Sequence, residues 1–165
     1  MPYRVLFLCT GNSARSVLAE AYLNHAGLGR YEACSAGSHP NGKVNPFALE
    51  TLSRREIDTR GLRSKSWDEF ARPGAPEIDL VITVCDNAAN EVCPVWPGRP
   101  SKGHWGVPDP AAVAGTDENK RRAFERALAT LSARIDRLVA LRPETLDSAR
   151  LQQALGEIGK VVAPA

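Results

Sequence analysis

The stretch Val5-Leu-Phe-Leu-Cys9-Thr-Gly-Asn-Ser-Ala-Arg15-Ser16 decides how the rest of the chain is read. Its first four residues are an apolar run of the kind that forms a buried strand, and Gly11-Asn12 breaks it. From Ser13 onward, the spacing of Val17, Leu18, Ala21 and Tyr22 predicts a helix with one apolar face. A strand that turns through a short loop into a helix leaves backbone N–H groups converging at the helix mouth, where the dipole favours an anion. Cys9 and Arg15 stand at that mouth. The helix field and the guanidinium together predict a Cys9 thiol with its pKa lowered toward neutrality. The stretch therefore reads as a nucleophile in an oxyanion cradle. Its plain competitor is a core cysteine and a surface arginine around an ordinary turn.

Working outward, the punctuation is regular. Gly27-Leu-Gly29 ends the first helix, Tyr31–Ala36 reads as a second strand closed by Gly37, and Val44-Asn45-Pro46 opens a helix carrying Ala48, Leu49 and Leu52. Trp67 to Phe70 suggests one further helical turn. Asp79–Val84 is the strongest strand of the chain. Residues 86–105, rich in Pro and Gly, suggest a short helix after Cys85 and a short strand near His104-Trp105. A long helix is expected from Thr116, its cap, to about Leu141, with Phe124, Leu128, Leu131, Ile135 and Leu138 on one stripe. A last helix from Thr145 to about Ile158 has a weaker stripe of Leu146, Ala149 and Ile158. Strands alternating with helices predict an α/β fold with a mostly parallel sheet. Ligands of such sheets bind beyond the C-terminal strand ends, so Cys9 and Cys85 are expected near one rim.

A chain of 165 residues with a formal charge of +2 reads as one soluble domain without a polyanionic partner, so no nucleic acid is expected. Lys120-Arg121-Arg122 reads as a solvated helix face. No apolar stretch reaches membrane-spanning length and no leader is apparent, so the expectation is a cytoplasmic protein without membrane contact. Four cysteines in a chain of this length are not a disulfide framework; in a reducing compartment they are structural, metal-binding or redox-active. Cys85 and Cys93 are separated by a polar, Asn- and Ala-rich linker able to carry a thiol between site and surface. The other readings are inert core cysteines, or zinc held with His104, for which the spacing is poor. In Trp105-Gly-Val-Pro-Asp109-Pro110, a carboxylate set between prolines suits a general acid over an anion site, and equally suits a turn.

These residues together resemble the low-molecular-weight protein tyrosine phosphatase family, and within it the thioredoxin-coupled arsenate reductase branch. The resemblance rests on Cys9-Thr-Gly-Asn-Ser-x-Arg15-Ser16, Ser35-Ala-Gly37, Val44-Asn-Pro46, Ile57-Asp58, the two later cysteines with Cys93-Pro94, and His104-Trp-Gly-x-x-Asp109-Pro110. It spans about residues 3–140 and implies a single three-layer domain with a four-stranded parallel sheet flanked by helices over residues 1–142; residues 143–165, outside the resemblance, read as a C-terminal helical extension of unknown role. It also implies arsenate as substrate, held by Thr10, Gly11, Asn12, Ser13, Ala14, Arg15 and Ser16. Cys9 would attack arsenic and Asp109 would protonate the departing oxygen. Cys85 would then attack the Cys9 sulfur, and Cys93 would resolve that disulfide for thioredoxin, or a glutaredoxin, to reduce. Such a monomeric oxidoreductase would serve arsenic resistance and detoxification with no cofactor, because thiol–disulfide exchange supplies the electrons.

The chain also departs from the family. Ala14 stands where many relatives have a second cysteine in the loop. Asn12, Glu20 and Ser35 match positions that bind potassium in some relatives, and Lys65 is expected to put its ammonium in the cation's place. Cys34 is read as a strand residue. The alternative function is a phosphatase that hydrolyses phosphate monoesters through a cysteinyl-phosphate; it would make no use of Cys85 and Cys93. The phosphatases usually follow Asp-Pro with tyrosines, and this chain has Ala111-Ala112. A third reading is a non-catalytic oxyanion-binding or redox-sensing module.

Overall fold

A computed structural model of the chain describes residues 2–85, 94 and 96–162. Four parallel strands form one sheet in the order β2-β1-β3-β4, with β1 at Tyr3–Leu8, β2 at Tyr31–Ala36, β3 at Leu80–Thr83 and β4 at Ser101–His104. The helices are α1 at Arg15–Ala26, α2 at Pro46–Arg54, a single turn α3 at Asp68–Ala71, α4 at Asp117–Leu141 and α5 at Ser148–Ile158.

The two faces of the sheet are covered unequally. Successive β1 side chains point to opposite faces, so Val5 and Phe7 join Leu80 and Ile82 in the large core beneath α1, α2, α4 and α5. Leu6 and Leu8 join Val81, Ile78 and Trp96 in a smaller core closed by Trp67, Phe70 and Ala71. All four residues Val5–Leu8 are fully buried, which is why the run reads as apolar without alternation. β4 alternates half-buried and exposed, as an edge strand does.

Element ends follow local chemistry. The Asn45 carboxamide accepts from the Phe47 N–H at 2.9 Å with Pro46 following, and Thr116 caps α4 by accepting from Asn119 N–H at 3.2 Å. α1 begins at Arg15 rather than Ser13, because residues 9–14 remain loop. Arg121 of the basic run pairs with Glu50 at 3.1 Å and Arg122 with Glu118 at 2.9 Å. The short helix expected after Cys85 lies outside the described residues.

The last helix differs from its expected stripe. It starts at Ser148, capped by the Asp147 carboxylate, and Ala149 is exposed; Leu151, Leu155 and Ile158 are the buried set. That set follows i, i+4, i+7 spacing and packs on the edge strand β4. The Trp105 indole N–H donates to the Leu155 carbonyl at 3.1 Å, tying α5 to the chain just after β4. Residues 148–158 are thus continuous with the large core. Leu155→Ala is expected to lower unfolding free energy by about 2–5 kcal/mol, measured by urea denaturation; a loss under about 0.5 kcal/mol would show that α5 is an appendage.

Candidate active site

The C-terminal end of β1 delivers Cys9, whose N–H bonds the Ala36 carbonyl at 3.2 Å. The loop that follows is gripped from outside. His39 N–H donates to the Thr10 carbonyl at 3.0 Å, Asn41 N–H to that of Gly11 at 2.9 Å, and Asn45 N–H to that of Ser13 at 2.9 Å. Turning these carbonyls outward turns the loop's own amides toward its centre, and the Gly11 N–H donates to the Cys9 sulfur. No side chain caps α1, so its N-terminus adds to the same concavity. Gly37 permits the fit: a Cβ there would collide with the carbonyl oxygens of Cys9 and Thr10.

Asn12 fixes the loop's turn. It is fully buried at φ 45°, in the left-handed region that Asn tolerates better than most residues. Its amide donates to Ser16 Oγ at 2.8 Å and Ser35 Oγ at 2.9 Å, and its oxygen accepts from the Lys65 N–H at 2.9 Å. Ser35 Oγ in turn donates to Glu20 Oε1 at 2.5 Å, and Lys65 Nζ stands 3.6 Å from the same oxygen while donating to the Arg63 carbonyl at 3.1 Å. Burial raises the Glu20 carboxyl above its ordinary value; Lys65 and Ser35 act in the lowering direction without offsetting it. Asn12, Glu20, Ser35 and Lys65 therefore form one hydrogen-bonded cluster behind the loop.

Arg15 lies across the loop mouth. Its Nη1 donates to the Val107 carbonyl at 2.9 Å, its Nη2 is 3.6 Å from Asp109 Oδ2, and its Nε is buried without a partner among the described residues. Asp109 caps the short turn Pro110–Ala112, its Oδ1 accepting from the Ala111 N–H at 3.0 Å. Its side chain is 40% exposed, so the pair with Arg15 contributes under about 1 kcal/mol and is free to part. Ala111 and Ala112 are exposed beside it.

Cys85, at the end of β3, is buried with its thiol in hydrogen-bond contact with Cys9, and Thr10 Oγ1 is 3.8 Å from its sulfur. Neither forms a disulfide, nor does Cys34, half-buried in β2 and pushed up to about 12 by burial. The Cys9 thiol departs from the sequence expectation. It is raised above its ordinary value, first by the hydrogen bond with Cys85 and then by burial; Arg15 and the Gly11 N–H act in the lowering direction without offsetting them. Two adjacent thiols in a buried site titrate as a coupled pair, so the first proton is lost from the pair rather than from Cys9 alone.

Cys9, Thr10–Ser16, Asp109 and Cys85 are thus brought to one rim, while Cys93 lies outside the described residues. His104, weighed as a zinc partner, is on the edge strand with its Nδ1 2.7 Å from Thr83 Oγ1. No cluster of potential metal ligands occurs among the described residues, and none of their helices is long and apolar enough to cross a membrane. The Val107 carbonyl that anchors Arg15 escaped sequence reasoning, because a backbone acceptor 92 residues away leaves no residue-type signal.

The chain matches the family model of low molecular weight phosphotyrosine protein phosphatases over residues 4–153. It is 38% identical over 131 residues to an arsenate reductase of Halalkalibacterium halodurans, covering 79% of this chain and 91% of that one. Among solved structures it resembles a thioredoxin-dependent arsenate reductase of Corynebacterium glutamicum, with 27% identity, a TM-score of 0.61, and coverage of 85% of this chain and 63% of that one. It also resembles a low molecular weight protein tyrosine phosphatase of T. tengcongensis, with 28% identity, a TM-score of 0.67, and coverage of 84% and 99%.

The thiol contact has a measurable consequence. Cys85→Ala removes the largest raising influence on Cys9, so alkylation of Cys9 by iodoacetamide is expected to become faster at pH 7. The gain is roughly tenfold for each pH unit by which the midpoint falls. An unchanged alkylation profile would mean that Cys85 does not control the Cys9 proton.

Proposed function

The chain belongs to the low molecular weight phosphotyrosine protein phosphatase family, and from that premise we propose that it is an arsenate reductase using a relay of Cys9, Cys85 and Cys93. The observation that carries this reading is the Cys85 thiol lying against the Cys9 thiol inside an anion loop. Hydrolysis of a phosphate ester needs only the nucleophile, the arginine and the acid; reduction of an oxyanion needs two electrons, and a second thiol at the nucleophile supplies them.

The steps balance without a cofactor. Arsenate, HAsO4 with two negative charges, enters the Thr10–Ser16 loop, where inward amides, the α1 terminus and the open Nε of Arg15 hold its oxygens. Cys9 sulfur attacks arsenic; its proton and the arsenate hydroxyl leave as water, with Asp109 handing the proton to the departing oxygen. Proton loss from Cys9 is thus coupled to substrate binding, which suits a thiol whose pKa is raised at rest. Cys85 then attacks the Cys9 sulfur, forming a Cys9–Cys85 disulfide, and the arsenic leaves as arsenite with the bonding electron pair. Cys93 attacks Cys85, giving a Cys85–Cys93 disulfide and restoring the Cys9 thiol. An external dithiol of the thioredoxin type reduces that disulfide. In this reading residues 1–142 carry the reaction and the helix at 148–158 closes the sheet edge.

Lys65 completes the site in place of a bound monovalent cation. Its ammonium beside Glu20 and behind Asn12 and Ser35 supplies the positive charge on which the loop's rear network closes. Arsenate turnover is therefore expected to be indifferent to exchanging sodium for potassium at constant ionic strength; a steep rise with potassium alone would overturn this role.

The family's phosphatase chemistry is a second reading, favoured by the loop itself, since phosphate and arsenate are nearly isosteric. Cys93→Ser separates the two. With thioredoxin as reductant, this variant is expected to release at most one arsenite per chain while sparing any hydrolysis of p-nitrophenyl phosphate. Mass analysis after that single turnover would show a Cys9–Cys85 disulfide. Sustained arsenate turnover by the variant would overturn the relay.

A further inference from the structure

A second cavity lies behind the segment that carries Asp109. Its volume is about 410 Å³, and none of residues 9–16 lines it. One wall is the strap Gly106–Pro110 with Val113; the other is the α4 stripe Ala123, Arg126, Ala127, Thr130 and Arg134, with Val162 at the edge. The α4 residues recur at helical spacing, so their side chains share one face.

Arg134 makes this cavity unusual. It is 4% exposed, yet its guanidinium faces no carboxylate among the described residues. Its Nε donates to the Val161 carbonyl at 2.9 Å and its Nη1 to the Gly106 carbonyl at 3.2 Å. Among the described residues its acceptors are two neutral carbonyls, and no carboxylate there compensates its charge. Burial lowers its affinity for its proton, as it does for any cation without a counter-ion. Arg126, exposed two turns earlier, likewise forms no ion pair among the described residues. Against these two cations the lining offers one carboxylate, Asp109, which is turned toward Arg15. The remaining wall is largely apolar: Val107, Pro108, Pro110, Val113, Ala123 and Ala127.

We propose that this cavity binds a small organic carboxylate, its anionic head on Arg134 and Arg126 and its apolar body against the prolines, and that occupancy slows the step served by Asp109. The guanidinium fork matches a planar carboxylate, and the volume lies within the range of small-ligand pockets. Coupling follows from the strap. Arg134 holds the Gly106 carbonyl from one side and Arg15 holds the Val107 carbonyl from the other. A ligand wedged against Pro108 and Pro110 restrains the segment that follows these two anchors, on which Asp109 must move to meet a leaving oxygen. Because it shares no residue with the loop 9–16, the ligand binds together with an oxyanion rather than instead of it.

The coupling half rests on the acid role given to Asp109 above; the binding half does not. Benzoate is the probe and benzamide its neutral control, with binding followed by calorimetry and ligand-observed NMR on the full chain. Benzoate is expected to bind at least tenfold more tightly than benzamide, and saturating inorganic phosphate should leave it bound. Arg126→Glu should weaken benzoate at least tenfold, and Thr130→Phe, which fills the cavity while keeping both cations, should abolish binding. Saturating benzoate should lower arsenate kcat severalfold with KM unchanged. Displacement by phosphate, equal binding of benzamide, or indifference to both substitutions would overturn the site. Binding without change in kcat would overturn the coupling. Absence of arsenate turnover even without benzoate would instead count against the reductase reading, leaving the binding arm to decide the site.

Discussion

The anion loop keeps its shape because one buried carboxamide is satisfied on all sides. Asn12 pays for its left-handed φ, a cost of about 1–2 kcal/mol for most residues but smaller for Asn. It recovers this through three hydrogen bonds worth about 1 kcal/mol each, to α1, to β2 and to the chain at Lys65. Removing any partner strands a polar atom with no route to water, so the loop is held by penalties as much as by bonds. Ser35 extends the linkage to the largely buried Glu20–Lys65 pair. The curvature of a catalytic loop is thereby fastened to an ion pair that touches no substrate.

Much of this was legible in the chain because it is local. The apolar run Val5–Leu8, the Gly11-Asn12 break, the Pro46 start and the Thr116 cap are all short-range chemistry, and each stands where residue type put it. The α/β alternation also placed Cys9 and Cys85 on one rim, since both follow strands of a parallel sheet. What was misread is tertiary. Helix α5 hides Leu151 and Leu155 rather than Ala149, because its buried face is set by where β4 and Trp105 lie. The Cys9 proton was misjudged for the same reason. A helix terminus and a nearby arginine are visible in sequence; a second thiol arriving from β3 and the depth of burial are not. The outward grip of residues 39–45 on the loop carbonyls uses backbone N–H groups, which no residue type announces.

A raised thiol at the heart of a nucleophilic site is physically coherent. At rest the Cys85 contact and burial hold the Cys9 thiol of this pocket in its protonated form, which is poorly reactive toward adventitious oxidants. A tetrahedral oxyanion brings a basic oxygen into the same pocket, and with it an acceptor for that proton. Activation then depends on the presence of substrate rather than on a standing thiolate. In the proposed relay, the contact that suppresses the thiol before binding also places the second sulfur for attack after it, so protection and reaction would use one contact.

The strap from Gly106 to Pro110 ties acid and anion holder into one mechanical unit. Val107 is fixed through both of its backbone polar groups, its N–H on the Val84 carbonyl at 3.1 Å and its carbonyl on Arg15. Arg15 therefore cannot turn fully toward an oxyanion without regard to the strap, and Asp109 cannot swing without changing what faces Arg15. Prolines on either side of Asp109 restrict φ at 108 and 110, which channels motion into the few remaining torsions. Arg134 grips the same strap one residue earlier, from the far side and with its charge uncompensated. Among the described residues this buried guanidinium faces only two neutral carbonyls, and it stands beside the segment that, in the proposed reaction, positions the proton donor Asp109.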